Sequence, residues 1–468
     1  MTIDGSAVES DQKLAVTNPA DGQEFAWAPR CSAATLAAAV EAARRSFPLW
    51  SALSLDERAE LLHACGRAVS AHQEQLAELL TLEQGKPLAD ARAEVALAAE
   101  WFADTAALSL PGEVLIDDDT SAASMRRVPI GVVAAIAPFN FPIILSVCKI
   151  APALLAGNTV VVKPAPATPL STLRMVQLLA EILPAGVLNA ISGDGALGAA
   201  LVESPGVDLI SFTGSIPVGL RIARSAGSRL RRVVLELGGN DPAIVLPDTD
   251  ISRVAPELFA RSLINSGQFC AAVKRIYVSR PQEEELVDAL AELAVRARVG
   301  DGRDPVTQYG PLIDTAQAHR VAGLVHTASA AGARVVSRSA CPEGPGAYHA
   351  VTVVSDLPQG TELELTEQFG PVIPVLAYDD LAGAVSAANG TEFGLGASVW
   401  GDQSLASETA GRISAGTVWL NTHGELRHAV PFGGVRHSGI GVEYGYHGLV
   451  EYTRIAVRHE ARRCFGKA

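Results

Sequence analysis

No CxxC pair occurs in this chain, and its six cysteines (Cys31, Cys65, Cys148, Cys270, Cys341, Cys464) are sparse and irregularly spaced. That excludes a disulfide framework and argues against a structural zinc site, so no metal is expected. Unpaired thiols fit a cytoplasmic protein, and one of them is free to be reactive. A basic surplus is also missing: 37 Lys+Arg face 51 Asp+Glu, a formal charge of −14. This argues against nucleic acid or an anionic membrane as a partner. Long apolar runs are absent as well. The stretch 131–137 stops at Pro138, with Pro142 close behind, which is strand length and far short of the ~20 residues of a membrane helix. The opening MTIDGSAVESDQKL has no basic start followed by an apolar run, so no secretory signal is expected.

What is present is apolar surface to bury. Apolar residues make up 48% and charged residues 19% of 468, which excludes global disorder and suggests roughly two to four structural units. The first 30 or so residues are turn-rich. From 32 to 108 the text is rich in Ala, Leu and Glu at helical spacing, as in Leu61, Leu62, Cys65 and Val69. The stretch 111–127 reads as exposed. Beyond it, apolar strands at 128–137, 158–163, 187–191, 207–212 and 233–237 alternate with helices at 146–155, 169–183, 196–203 and 216–226. Such alternation predicts βαβ units and a parallel sheet covered on both faces. A second α/β pattern follows from 258, a glycine-rich loop region occupies 421–448, and a last strand spans 453–459.

Several short motifs carry chemistry. GxGxxG at Gly193, Gly195 and Gly198 has the strand–turn–helix context of a dinucleotide site, but no acid follows about 20 residues on. FTGSIPVG at 212–219 puts Gly214 and Ser215 at a helix start, where free N–H groups favour phosphate; an ordinary serine cap is the alternative. Glu236 ends an apolar strand in LELGGN, and Cys270 sits in NSGQFCAAVKR. A cysteine there is a nucleophile only if its pKa is lowered or a base is within reach. EQFGPV at 367–372 and PFGGVRHSGIG at 431–441 complete the set.

Together with PFN at 138–140 and KPA at 163–165, these motifs in this order resemble the aldehyde dehydrogenase superfamily, from about residue 18 to 457. The resemblance implies an α/β fold with a Rossmann-type cofactor domain (1–107 and 130–238) and an α/β catalytic domain (239–440). It also implies a small β oligomerisation element with a C-terminal tail (108–129 and 441–468), and hence a homodimer or homotetramer. It implies oxidation of a small-molecule aldehyde to the acid with reduction of NAD(P). Cys270 matches the nucleophile, Asn140 the oxyanion donor, Glu236 the base that activates water, and Lys149 the lysine of a proton relay. A solvated helix residue is the alternative for Lys149. Lys163, Gly214, Ser215, Glu367, Phe369, Pro138 and Phe139 match cofactor-binding positions.

Phe141, Ile144, Leu145, Cys148, Phe269, Ala271 and His423 are expected to form the pocket wall. Cys148 is small where relatives often carry an aromatic, which suggests a roomy funnel and a hydrophobic or aromatic aldehyde unless another side chain refills the space. Pro166 stands where many NAD-preferring relatives carry a glutamate, so NAD is expected and NADP is not excluded. Two other readings compete: a catalytically silent protein on the same fold, and a CoA-acylating relative. Retention of Asn140, Glu236, Cys270 and Glu367 argues against the first, and Glu236 against the second.

Overall fold

The computed structural model describes residues 1–462; Cys464 lies outside them. Two sheets dominate. The first has eight strands, and its five parallel members run in the order Arg232–Glu236, Leu209–Thr213, Val132–Ile136, Thr159–Lys163, Leu188–Ala190. Their centres are fully buried because helices cover both faces, and they are mostly Val, Ile, Leu and Ala, with Ser211 and Asn189 the polar exceptions. The parallel strands begin with Val132–Ile136 in the middle of this sheet, build outward to one side, then return to build the other. The strand order therefore reverses between Val132–Ile136 and Leu209–Thr213, and a crevice opens beyond their carboxyl ends.

The second sheet has seven strands, from Arg334–Arg338 at one edge to Thr417–Leu420 at the other, with Asp241–Val245 and Val273–Ser279 near its middle. Glu236 ends a strand of the first sheet, and Asp241 opens a strand of the second. The short link between them brings the outgoing edge of one sheet to the incoming edge of the other. Cys270 lies just before the strand Val273–Ser279 and so reaches the same seam. A third, antiparallel sheet joins Glu113–Asp117, Ser121–Pro129 and Thr453–Ala461.

Several expected elements differ. The first 30 residues hold four strands, of which Thr2–Ile3 and Ser6–Ala7 extend the first sheet and Lys13–Asn18 and Gln23–Pro29 form a hairpin. The stretch 111–127 is exposed, but it is largely strand. The expected strand 128–137 is broken at Gly131, whose φ is 145° and where a Cβ would collide with the Asp208 carboxylate that caps Val132 N–H at 2.9 Å. The helix expected at 146 starts earlier, as Pro142–Leu155, with proline in its first turn. Segment 441–452 does not join the third sheet: helix Gly445–Glu451 packs on helix Pro142–Leu155.

Asn158 fastens these parts together. It is fully buried; its Oδ1 accepts from Ile130 and Gly131 N–H at 2.7 and 2.9 Å, and its Nδ2 donates to Ala153 and Tyr452 carbonyls at 3.1 and 2.9 Å. All its hydrogen-bonding capacity is used to join a strand start, a helix end and the approach to the last strand. Asn158→Ala strands two buried N–H groups and is expected to cost roughly 2–5 kcal/mol. Urea unfolding followed by circular dichroism checks this; an unshifted midpoint contradicts it.

Candidate active site

The crevice at the strand-order reversal is a cleft of about 830 Å³. Ala137 to Asn140, Thr213 to Ser215 and Cys270 are among the residues that line it. Lys163, the last residue of its strand, is buried, and its ammonium has one hydrogen bond, to the Pro164 carbonyl at 3.2 Å. Burial lowers its pKa to about 8, against the pull of Asp194. A buried cation so thinly satisfied suits a polar ligand. Ser215 starts helix Ile216–Gly227 without capping it, so its hydroxyl stays available and the ordinary-cap reading does not hold.

The GxGxxG turn behaves differently. Helix Gly195–Glu203 is capped by Asp194, whose Oδ1 accepts from Ala196 and Leu197 N–H at 3.0 and 3.3 Å. A carboxylate already occupies the place a phosphate would take, while Gly195 and Gly198 line the cleft. Across the cleft, Glu367 accepts from Gly239 N–H at 3.3 Å, and burial raises its carboxyl to about 7. The Arg320 guanidinium donates to the carbonyls of Glu367 and Gln368 at 2.8 and 3.0 Å and fixes this turn. Phe369, held at φ 50°, sets its ring edge-on to Phe139 at 5.7 Å, beside Pro138.

Cys270 follows a left-handed turn in which Asn265, Ser266 and Gly267 have φ of 51°, 57° and 75°. Asn140 sits opposite. Its Nδ2 donates one hydrogen to the Gln268 carbonyl at 2.9 Å, and the amide's second hydrogen remains for another acceptor. Glu236 is buried, and its Oε1 has no hydrogen-bond partner. Burial first, then Glu443, raise its pKa well above the usual carboxylate range, opposed by Lys149. The Cys270 thiol is raised too, by burial and by Glu236, Glu367 and Asp241, with only Lys274 opposing. The Cys270 thiol is therefore not pre-ionised. Activation falls to a base, and Glu236 lies within electrostatic reach.

Lys149 is fully buried and ion-paired to Glu443 at 2.5 Å, so the solvated alternative is wrong. Three neighbouring residues went unrecognised in the sequence. Glu443 and Tyr444 lie in a loop with no motif of their own. Lys274 looks like an ordinary strand residue, yet its ammonium donates to the Gly267 carbonyl at 2.7 Å and faces the Phe369 ring.

On the side expected to receive the substrate, Phe141 and Phe269 meet edge-to-face at 5.5 Å, and Ile144 is buried nearby. Cys148 is buried and within hydrogen-bond reach of the Tyr444 hydroxyl. Tyr444 in turn packs on Trp101 at 4.9 Å and Phe432 at 5.9 Å. An aromatic ring thus refills the space beside the small cysteine, and a roomy funnel does not follow. His423 needs a second correction: it lies behind the wall. It is fully enclosed, with Nδ1 2.9 Å from Ser398 Oγ and Nε2 donating to the Ala271 carbonyl at 3.1 Å; burial depresses its pKa to about 3.

Residues 7–457 match the family described as "Aldehyde dehydrogenase family". The chain belongs to the aldehyde dehydrogenase family. It is 36% identical over 450 residues to succinate-semialdehyde dehydrogenase [NADP(+)] GabD of Escherichia coli, covering 95% of this chain and 93% of that one. A solved putative aldehyde dehydrogenase from Burkholderia cenocepacia superposes with a TM-score of 0.95 at 37% identity, covering 98% and 96% of the two chains. The NAD+ complex of an aldehyde dehydrogenase from Bacillus cereus does so at 0.96 and 33%, covering 99% and 96%. Aldehyde dehydrogenases are NAD(P)-dependent oxidoreductases, and the cleft's thinly satisfied Lys163 ammonium, uncapped serine and buried carboxylate suit a dinucleotide. No helix among the described residues is long and apolar enough to cross a membrane.

The raised thiol makes a direct prediction. Carbamidomethylation at Cys270 by iodoacetamide, followed by peptide mass, should accelerate steadily from pH 7 to beyond 9 in the apo-protein, because the thiolate fraction keeps growing. A rate that levels off below pH 8 contradicts it.

Proposed function

We propose that this aldehyde dehydrogenase oxidises its aldehyde through a covalent intermediate on Cys270 and releases the free acid. The observation that carries the reading is the meeting at one seam of Cys270, Asn140 and Glu236, drawn from three separate segments. Glu236 takes the thiol proton as the sulfur attacks the carbonyl carbon and a C–S bond forms. The free hydrogen of the Asn140 amide and the Cys270 N–H meet the oxygen that becomes negative. Lys163, Gly214, Ser215, Glu367 and Phe369 would hold NAD(P), which would supply the acceptor for the hydride on the sulfur-bound carbon; the oxyanion's electron pair re-forms the C=O bond, and Cys270 is left as a thioester. Once that first proton has left, Glu236 removes a proton from water, which adds to the thioester carbon; the C–S bond breaks, the departing sulfur takes a proton back from Glu236, and acid and thiol are released. Lys149 and Glu443, both buried beside Glu236, form the route by which its proton leaves.

NAD is the proposed cofactor; Pro166 offers no carboxylate to repel a 2′-phosphate, so the same cleft admits NADP. The proposed substrate is a hydrophobic or aromatic aldehyde. Phe141 and Phe269 support it, and none of the named wall residues is a lysine or arginine. Arg261 and Arg427, which meet at the 423–428 loop, already face Glu425 at 3.9 and 3.4 Å, which weighs against a substrate carboxylate. A homodimer or homotetramer is supported by the third sheet, where Val114, Leu115, Ile116, Ile455 and Val457 are exposed. Glu236 distinguishes this reading from a CoA-acylating enzyme.

Cys270→Ala should abolish NAD(P)H formation while circular dichroism and dinucleotide binding persist; undiminished turnover would sink the mechanism. Glu236→Gln should slow the steady state by roughly 10²- to 10⁴-fold and the single-turnover burst of NAD(P)H by less, because the Cys270 thiol can still lose its proton to water as the pH rises. Because the carboxyl is raised and the base must be ionised, the wild-type steady state should climb with pH well beyond the usual carboxylate range, and Glu236→Gln should flatten that limb. A burst slowed more than the steady state, or an unchanged steady state, contradicts the assignment to deacylation.

A further inference from the structure

Outside the groups just assigned, one charged pair is buried where packing alone does not call for it. Lys86 and Glu94 are 1% and 2% exposed at their side chains and meet at 2.6 Å. Replacing a buried ion pair with apolar residues is often neutral or stabilising, so fold stability does not account for this one. Its geometry suggests another role. The Lys86 ammonium has three hydrogens. It donates to Glu94 Oε2 at 2.6 Å and to the backbone carbonyl of Asn140 at 2.9 Å, and it sits over the Phe141 ring at 4.0 Å. Every donor is engaged, and two of the three contacts are to Asn140 and its neighbour.

The partner carboxylate works on the same segment. Glu94 Oε1 accepts from the N–H groups of Ile143 and Ile144, at 3.0 and 3.3 Å, in the first turn of helix Pro142–Leu155. The pair therefore grips the 140–144 turn at both ends. A second tie comes from the nucleophile's own loop, where Asn265 Nδ2 donates to the same Asn140 carbonyl at 2.9 Å. Asn140 returns the contact through its side chain to Gln268. The Lys86 side is equally anchored. Gly85 turns at φ 92° against Pro19 and Pro311, and Leu88 N–H donates to the Gly302 carbonyl at 2.9 Å. Lys86 thus refers the position of Asn140 to two other parts of the molecule.

We propose that Lys86, held by Glu94, is a positioning residue for the oxyanion donor: it fixes the Asn140 backbone so that the free hydrogen of the Asn140 amide points at the developing charge. This rests on the oxyanion role given to Asn140 above. A donor misplaced by an ångström or so forfeits rate, while binding of aldehyde and dinucleotide is left largely alone. The test is a double-mutant cycle. Lys86→Met alone would leave Glu94 charged and alone, so the pair is neutralised together as K86M/E94Q, in which glutamine still offers an acceptor to Ile143 and Ile144. The readouts are the burst rate of NAD(P)H formation, KM for the aldehyde and dinucleotide Kd by fluorescence.

The expected result is a burst rate lowered by about 10- to 100-fold, with KM and Kd within about twofold. In an Asn140→Ala background the same pair of changes should slow the burst by less than about twofold, because the donor it aims is gone. An equal loss in both backgrounds, or no loss in either, overturns the proposal. E94Q alone keeps the fold in reach should K86M/E94Q not express; it should show a smaller loss of the same kind, about 3- to 10-fold, again absent beside Asn140→Ala. If Asn140→Ala itself leaves the burst untouched, the oxyanion role falls and this proposal falls with it. If Asn140→Ala slows the burst and the losses multiply, only the assignment of Lys86 falls.

Discussion

The structure turns on one strained piece of backbone. Asn265, Ser266 and Gly267 all adopt left-handed φ, which costs a non-glycine residue roughly 1–2 kcal/mol. Each is held from outside. Asn265 donates to the Asn140 carbonyl, Ser266 Oγ to the Gly310 carbonyl at 2.8 Å, and the Gly267 carbonyl accepts from Lys274. At Gly267 a side chain would meet the Gly370 carbonyl, so glycine is required for space as well as conformation. The left-handed turn reverses the chain sharply before Gln268 and delivers Cys270 to the seam between the two sheets. Strain of this kind persists only where the surroundings over-determine it, and here the determinants are the neighbouring parts of the site.

Burial then sets the protonation states. Glu236, Glu367 and Asp241 are all withdrawn from water, and each is pushed toward its neutral form; Asp241 rises to about 8. Their partial negative field, together with burial, keeps the Cys270 thiol protonated. A permanently ionised thiolate would be open to alkylation and oxidation. A protonated one reacts when a base can take its proton, and a base with a raised pKa is the stronger acceptor once ionised. The cations Lys149 and Lys274 sit beside these carboxylates and temper the repulsion.

Much of the α/β alternation was legible because buried parallel strands leave continuous apolar runs, as in TVVVK at 159–163. The order of strands was not, since nothing local records which neighbour a strand takes. Cys270, Asn140, Glu236 and Glu367 stood out only through the ordered set of motifs; singly, each had an equally good packing explanation. Lys149 could not be told from a solvated lysine, because its partner Glu443 lies 294 residues away. His423 was misplaced for a related reason: the resemblance put it in the pocket wall, whereas Ser398 and the Ala271 carbonyl, both remote in sequence, enclose it behind that wall. Tyr444 refills the space at Cys148 from a loop of the same kind.

The two glycine turns bear on how far a local motif reaches. Gly193–Gly198 has the better-known pattern, and FTGS the weaker one. Both precede a helix, and both helices offer unsatisfied N–H groups at their start. What separates them is what already meets those groups. Asp194 folds back to cap its own helix, and its negative charge repels a phosphate where the dipole would attract one. Ser215 leaves its helix uncapped and lies at the end of the strand beside the reversal in strand order. An anion site is thus a property of the vacancy rather than of the glycines, and a vacancy becomes visible only when every local competitor has been accounted for. The same reasoning applies to Lys163, whose value to a ligand lies in the near absence of a protein partner for a buried charge.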